Sequence, residues 1–164
     1  MKTPSGKIRL VLMSLLFAFV QLAQLSQTAH AQSPIYGAKD GPALEGYDTV
    51  AYFIDNKPVL GKASLSFEWQ GATWHFASSS NRELFIADPE KYAPQYGGHC
   101  AFGMANDSYA SGDPDRWKIE NGKLYLNTNK FAQWLWERDI PEKVKSADGY
   151  WPEKKQALLL LTKE

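Results

Sequence analysis

The sequence predicts an α+β fold, a small compact domain of antiparallel β-hairpins packed with short helices. Three observations lead there. Strand-like runs come in pairs across glycine-containing turns, at Gln70-Gly71 and again at Asn121-Gly122, and such turns close two-residue hairpins. Helix-capping residues follow each pair, at residues 78–81 and at Asn129. The 164 residues are 44% hydrophobic and 13% aromatic with one cysteine, so a single core held by packing, with no internal disulfide, is expected.

The first 31 residues read as a cleaved secretory signal rather than as part of that domain. Lys2, Lys7 and Arg9 make a positive start, residues 10–20 are an apolar run, and Ala29-His30-Ala31 is a small-x-small cleavage pattern before Gln32. The run is interrupted by Gln21 and Gln24, too short for a membrane span in the mature form. The expected location is periplasmic or secreted, after cleavage near Ala31. Residues 32–43 then read as a leader loop, 44–152 as the domain and 153–164 as a helical tail.

Within the domain, residues 49–54 (Thr-Val-Ala-Tyr-Phe-Ile) are β-branched and aromatic and read as a strand. Leu65, Phe67 and Trp69 alternate with Ser66, Glu68 and Gln70, a half-buried strand. After Gln70-Gly71 the return strand puts Trp74 and Phe76 on one face and His75 on the other. Ser80 with Glu83 fits a capping box, with Leu84, Phe85 and Ala87 as the apolar side of a short helix that ends at Asp88-Pro89. Residues 101–105 can start another short helix, and residues 106–114 read as a surface loop. Residues 117–119 and 124–126 flank the turn at Asn121-Gly122 as a second hairpin. Asn129 caps a helix carrying Phe131, Trp134, Leu135 and Arg138 at helical spacing. A further helix over 141–147 is expected to stop at Gly149-Tyr150-Trp151-Pro152, before a last helical piece from 153. No internal repeat or second domain is expected.

Without the three cations of the signal, 15 Lys and Arg remain against 18 Asp and Glu. That balance leaves no basic stripe for phosphates and argues against a nucleic-acid partner.

The chemistry concentrates in Tyr96-Gly97-Gly98-His99-Cys100-Ala101-Phe102-Gly103-Met104. Thiolate, imidazole and thioether are ligands for copper or another soft metal ion, so Cys100, His99 and Met104, with His75 approaching from the hairpin, are the candidate metal set. Cys100 and Met104 share a face if the segment is helical. Adjacent His99 joins them only in an irregular loop, which the glycines permit.

Residues 74–78 (Trp-His-Phe-Ala-Ser), Phe85, Asp88-Pro89-Glu90-Lys91-Tyr92 and Tyr96-Gly97-Gly98-x-Cys100-Ala101 resemble the YHS domain, in particular exported single-domain YHS proteins of bacteria. Matching stretches at 46–53, 58–61 and 117–127 extend the resemblance over about residues 44–151. It implies heavy-metal handling, copper above all, since YHS domains accompany copper-transporting ATPases and some multicomponent oxygenases. The family's paired cysteines near the first strand and after the hairpin are replaced here by Asp48-Thr49-Val50 and Ser78-Ser79-Ser80, leaving Cys100.

The expected function is therefore a non-enzymatic exported protein binding or trafficking a soft metal through the Gly-Gly-His-Cys segment. Two alternatives stand beside it. One is a module for a small ligand or a protein of the cell envelope, with Cys100 structural and Trp134, Trp136 and Trp151 as its aromatic surface. The other is a thiol redox or hydrolytic enzyme using a Cys-His pair.

Overall fold

The computed structural model describes residues 33–160; the segment read as a secretory signal and the last four residues of the chain lie outside them. The element order is α1 (Thr49–Ile54), β1 (Lys62–Trp69), β2 (Ala72–Phe76), α2 (Ser79–Ala87), α3 (Pro89–Tyr92), α4 (Ala101–Ala105), β3 (Asp113–Glu120), β4 (Lys123–Asn127), α5 (Lys130–Glu137) and α6 (Ile140–Leu160). Two antiparallel two-stranded sheets, β1-β2 and β3-β4, are packed with helices. The architecture is α+β, as the sequence predicts.

Both hairpin turns place their two central residues at positive φ: Gln70 at 50° and Gly71 at 71°, Asn121 at 51° and Gly122 at 73°. That is the primed-turn geometry that matches strand twist. In the first hairpin Trp74 and Phe76 are buried and His75 half-buried, while Leu65, Phe67 and Trp69 of β1 pack partly buried on the same core.

Three local expectations are corrected. Residues 49–54 form a helix, not a strand, because the buried Asp48 caps them: one carboxylate oxygen accepts from Val50 N at 2.9 Å and Ala51 N at 3.3 Å. Satisfying these otherwise orphaned amides outweighs β propensity. The cap of α2 is Ser78, accepting from Asn81 N at 3.1 Å, rather than Ser80, and of its expected apolar side only Phe85 is buried, with Leu84 and Ala87 exposed. Finally, α6 runs through Gly149 and Pro152 unbroken. An interior proline costs a helix about 3 kcal/mol, and contacts on both sides of it compensate. Tyr96 donates to Asp148 at 2.9 Å, Trp151 packs on the second core, Tyr109 donates to the Lys154 carbonyl at 2.6 Å, and Lys154 pairs with Asp107 at 2.8 Å.

The chain also contains an internal repeat that the sequence reading missed. Residues 44–92 and 96–144 trace the same path. Each unit opens on a left-handed turn, Leu44-Glu45-Gly46 (φ 49°, 55°, 87°) and Tyr96-Gly97-Gly98 (56°, 63°, 85°). One bridge follows in each, Tyr47 with Leu60 and His99 with Ser111. Then come a capped short helix, a hairpin and a second capped helix. The hairpin registers superimpose at a separation of 51 residues (62 to 113, 76 to 127). Lys62 faces Phe76 and, past an irregularity, Ser66 faces His75; Asp113 faces Asn127 and Trp117 faces Leu126. Ser78 and Asn129 cap their helices in the same way, and Phe85 and Trp136 are each fully buried in them. Pro89-Glu90-Lys91 recurs as Pro141-Glu142-Lys143 after a capping aspartate.

Close packing repeats as well. A Cβ on Gly61 would lie 2.5 Å from the His75 carbonyl carbon, and one on Gly112 would strike the Gly98 carbonyl oxygen and lie 2.8 Å from Leu126 Cβ. The buried residues fall into two clusters, one around Trp74, Phe76 and Phe85, the other around Tyr96, Met104 and Trp136. The residues read as a leader loop belong to the body. Tyr36 N donates to the Gly97 carbonyl and Leu44 N to the Tyr36 carbonyl, both at 2.9 Å, and Ile35 joins the first core. The segment thus straps the two left-handed turns together.

Candidate functional site

Cys100 occupies in the second unit the position that Asp48 holds in the first. The Asp48 carboxylate is fully buried and accepts four donors: Val50 N and Ala51 N through one oxygen, Ala77 N at 2.8 Å and Asn81 Nδ2 at 2.7 Å through the other. It ties the start of α1 to the end of β2 and to α2. In the second unit the capping task is divided. Cys100 Sγ accepts from Gly103 N at 3.4 Å, and Asn127 Oδ1 accepts from Phe102 N at 3.1 Å and from the thiol at 3.7 Å. The thiol is 1% exposed.

The other candidate ligands are distributed over the fold. Met104 is fully buried in the second cluster with Tyr96, Tyr125 and Trp136. The His99 ring lies in an aromatic surround, its centroid 6.0 Å from Tyr36, 6.0 Å from Tyr109 and 6.3 Å from Trp151. Burial lowers its pKa, while the Pro34 and Ala110 carbonyls that face the ring act the opposite way. His75 lies in the first unit, between Gly46, whose Cβ would sit 3.2 Å from its Nδ1, and Gly61. Cys100, His99 and His75 do not gather into a cluster, and among the described residues no group of three or more His, Cys, Asp or Glu could hold a metal ion. As placed, the thiol does not fit a copper site; its neighbours are a backbone amide and a side-chain amide.

The aromatic residues proposed from sequence separate too. Trp136 is fully buried, Trp134 is 49% exposed, and Trp151 lies against the second core.

The comparison with family models falls on one of the two units. Residues 50–96 match the YHS domain. This segment is a YHS domain. The match runs from α1 to Tyr96, so it covers most of the first copy of the repeat and reaches the residue that opens the second. No curated protein and no solved structure matches the chain.

Two concavities flank the strap, features that no sequence motif marks. The larger, about 620 Å³, is lined by Ile35, Tyr36, Pro42, Glu45, His99 and Leu158 among others. Its size falls within the ordinary range of small-molecule sites; its walls are mostly apolar by area, with Lys39, Asp40 and Glu45 as charged groups in the lining. The Tyr36 hydroxyl donates to Glu45 at 2.7 Å, and burial together with this carboxylate raises the Tyr36 pKa, so the phenol stays protonated. The smaller, about 370 Å³, lies between Trp69 and Trp151 with Glu90, Lys123 and Lys155 around it. Among the described residues no helix is long and apolar enough to cross a membrane.

Proposed function

We propose that this YHS-domain protein is an exported, non-enzymatic binding module whose small, largely apolar ligand occupies the cleft beside His99. Cys100 serves the fold in this reading. The observation that carries it is the equivalence of Cys100 with Asp48: each caps a short helix at the same point of the repeat, buried and with its acceptor atoms engaged. A thiol so placed is a poor metal ligand and a poor nucleophile, since both roles need an accessible thiolate. The cleft has the opposite character: mostly apolar walls, with a phenol, an imidazole, the carboxylates of Asp40 and Glu45 and the ammonium of Lys39 in its lining. Export is supported by Lys2, Lys7 and Arg9, the apolar run at 10–20 and Ala29-His30-Ala31.

The test pairs two titrations. Anaerobic copper(I) is added to the wild type, Cys100→Ser and Met104→Leu, and the apolar fluorophore anilinonaphthalene sulfonate is added to the same proteins and to Leu158→Trp. Fluorophore binding that survives Cys100→Ser and is lost in the cleft-filling Leu158→Trp is expected. Tight one-to-one copper(I) binding that disappears in Cys100→Ser would overturn the reading and restore a metal carrier. N-terminal sequencing of the exported protein, expected to begin near Gln32, tests the secretory step.

A further inference from the structure

The repeat supplies an internal control for surface residues, because the same helix occurs twice on the same scaffold. On α2 the positions 79, 80, 83 and 87 are Ser, Ser, Glu and Ala, all exposed. Their counterparts on and just after α5 are Lys130, Phe131, Trp134 and Arg138, also exposed. The fold therefore does not require large apolar side chains there, yet Phe131 is 67% and Trp134 49% exposed. The two rings stack with centroids 5.8 Å apart and planes 25° from parallel. The Arg138 guanidinium lies 4.3 Å over the Trp134 ring.

Charge completes the pattern. The neighbouring acids are engaged elsewhere: Glu137 faces Lys118 at 3.8 Å and accepts from Gln133 at 3.3 Å, and Asp139 caps α6 through Glu142 N. Among the described residues neither Lys130 nor Arg138 has a carboxylate partner within ion-pair distance. The face thus presents two aromatic rings flanked by two cations.

We propose that this face docks the protein reversibly on an anionic lipid surface. Aromatic rings are favoured at the headgroup level of a bilayer, and cations beside them are drawn to anionic headgroups. The size of the patch favours lipid over a protein partner. At these exposures two aromatic side chains offer roughly 250 Å², taking 150–250 Å² for each when fully buried. A stable protein interface needs about 800 Å² from each partner. Two rings and two cations give only weak, salt-sensitive attachment, of the kind peripheral proteins use.

The experiment uses the full chain with vesicles carrying brominated acyl chains, made either of phosphatidylglycerol and phosphatidylcholine or of phosphatidylcholine alone. Tryptophan quenching is compared between the wild type and Trp134→Phe, so that any anchoring by another segment cancels in the difference. Quenching of the Trp134 component on anionic vesicles only, reversed by high salt, is expected. Lys130→Gln with Arg138→Gln should lower affinity for anionic vesicles about thirtyfold. Phe131→Ser with Trp134→Glu, the residues of the first unit, should leave the thermal transition unchanged and remove the docking by α5. Equal quenching in wild type and Trp134→Phe, or equal quenching on both kinds of vesicle, would overturn the proposal. So would capture of an acidic envelope protein through this face without any lipid quenching.

Discussion

Replacing Asp48 by alanine removes a side chain that joins three elements of the first unit. Its carboxylate is fully buried and accepts at 2.9 and 3.3 Å from the first turn of α1, at 2.8 Å from Ala77 N and at 2.7 Å from Asn81 Nδ2. Loss of a helix cap costs about 1 kcal/mol. Each buried donor left without an acceptor costs roughly 1–3 kcal/mol; Ala77 N and Asn81 Nδ2 are the two at risk. The expected loss is about 3–7 kcal/mol, a large share of the ~5–15 kcal/mol that holds a domain folded. Asp48→Asn keeps the shape and one acceptor, and Asn81 can turn its amide over to meet the new NH₂, so about 2 kcal/mol is expected there. Urea unfolding followed by tryptophan fluorescence measures both. A loss below about 1 kcal/mol in the alanine variant would refute the cross-linking role, because cap loss alone would account for it.

The repeat predicts matched responses: Gly61→Ala and Gly112→Ala should each destabilise by about 1–3 kcal/mol, since each new Cβ meets backbone, the His75 carbonyl in one unit and the Gly98 carbonyl in the other, and urea midpoints check the pairing. Gly149→Ala should stabilise by about 0.5–1 kcal/mol, because it sits inside α6 with open space around its Cβ position; a lower melting temperature would contradict the continuous helix. His99, whose pKa is lowered by burial, favours the folded state in its neutral form. Unfolded chains then bind more protons below the ordinary histidine pKa near 6.5. Stability should hold above about pH 7, fall as pH drops from there to the lowered folded pKa, and then level off; His99→Gln should flatten that step in a series of thermal melts.

Much of the fold was legible in residues that act locally. Gln70-Gly71 and Asn121-Gly122 mark their hairpins because positive φ is needed at both turn centres, and Asn129 caps the helix the sequence assigns to it. What failed depended on distant partners. Asp48 turns residues 49–54 helical through a local cap, but Ala77 and Asn81 hold that cap in place from the far side of a hairpin. Pro152 reads as a stop, yet Tyr96, Tyr109 and Asp107 grip α6 on both sides of it. The repeat was visible only as sparse identities, among them Gly46 with Gly98, Gly61 with Gly112, Gly71 with Gly122, Asp88 with Asp139, and Pro-Glu-Lys twice, because the scaffold constrains turns and caps while the cores use different side chains. At the candidate site, the sequence identified the Gly-Gly-His-Cys stretch as central. It did not reveal that the thiol stands in for a capping carboxylate, which only the comparison of the two units makes plain.

The buried thiol also makes Cys100 a natural clock for the second unit. A membrane-impermeant disulfide reagent can reach it only while the Asn127 and Gly103 contacts are open, so its labelling rate at low reagent concentration reads the frequency of that opening. While closed, the same enclosure would keep a lone thiol from forming mixed disulfides in an oxidising compartment, the setting that the proposed export implies. A chain with one cysteine can then mature without a disulfide-forming catalyst, and whatever slows closure of the second unit lengthens the interval in which that thiol is vulnerable.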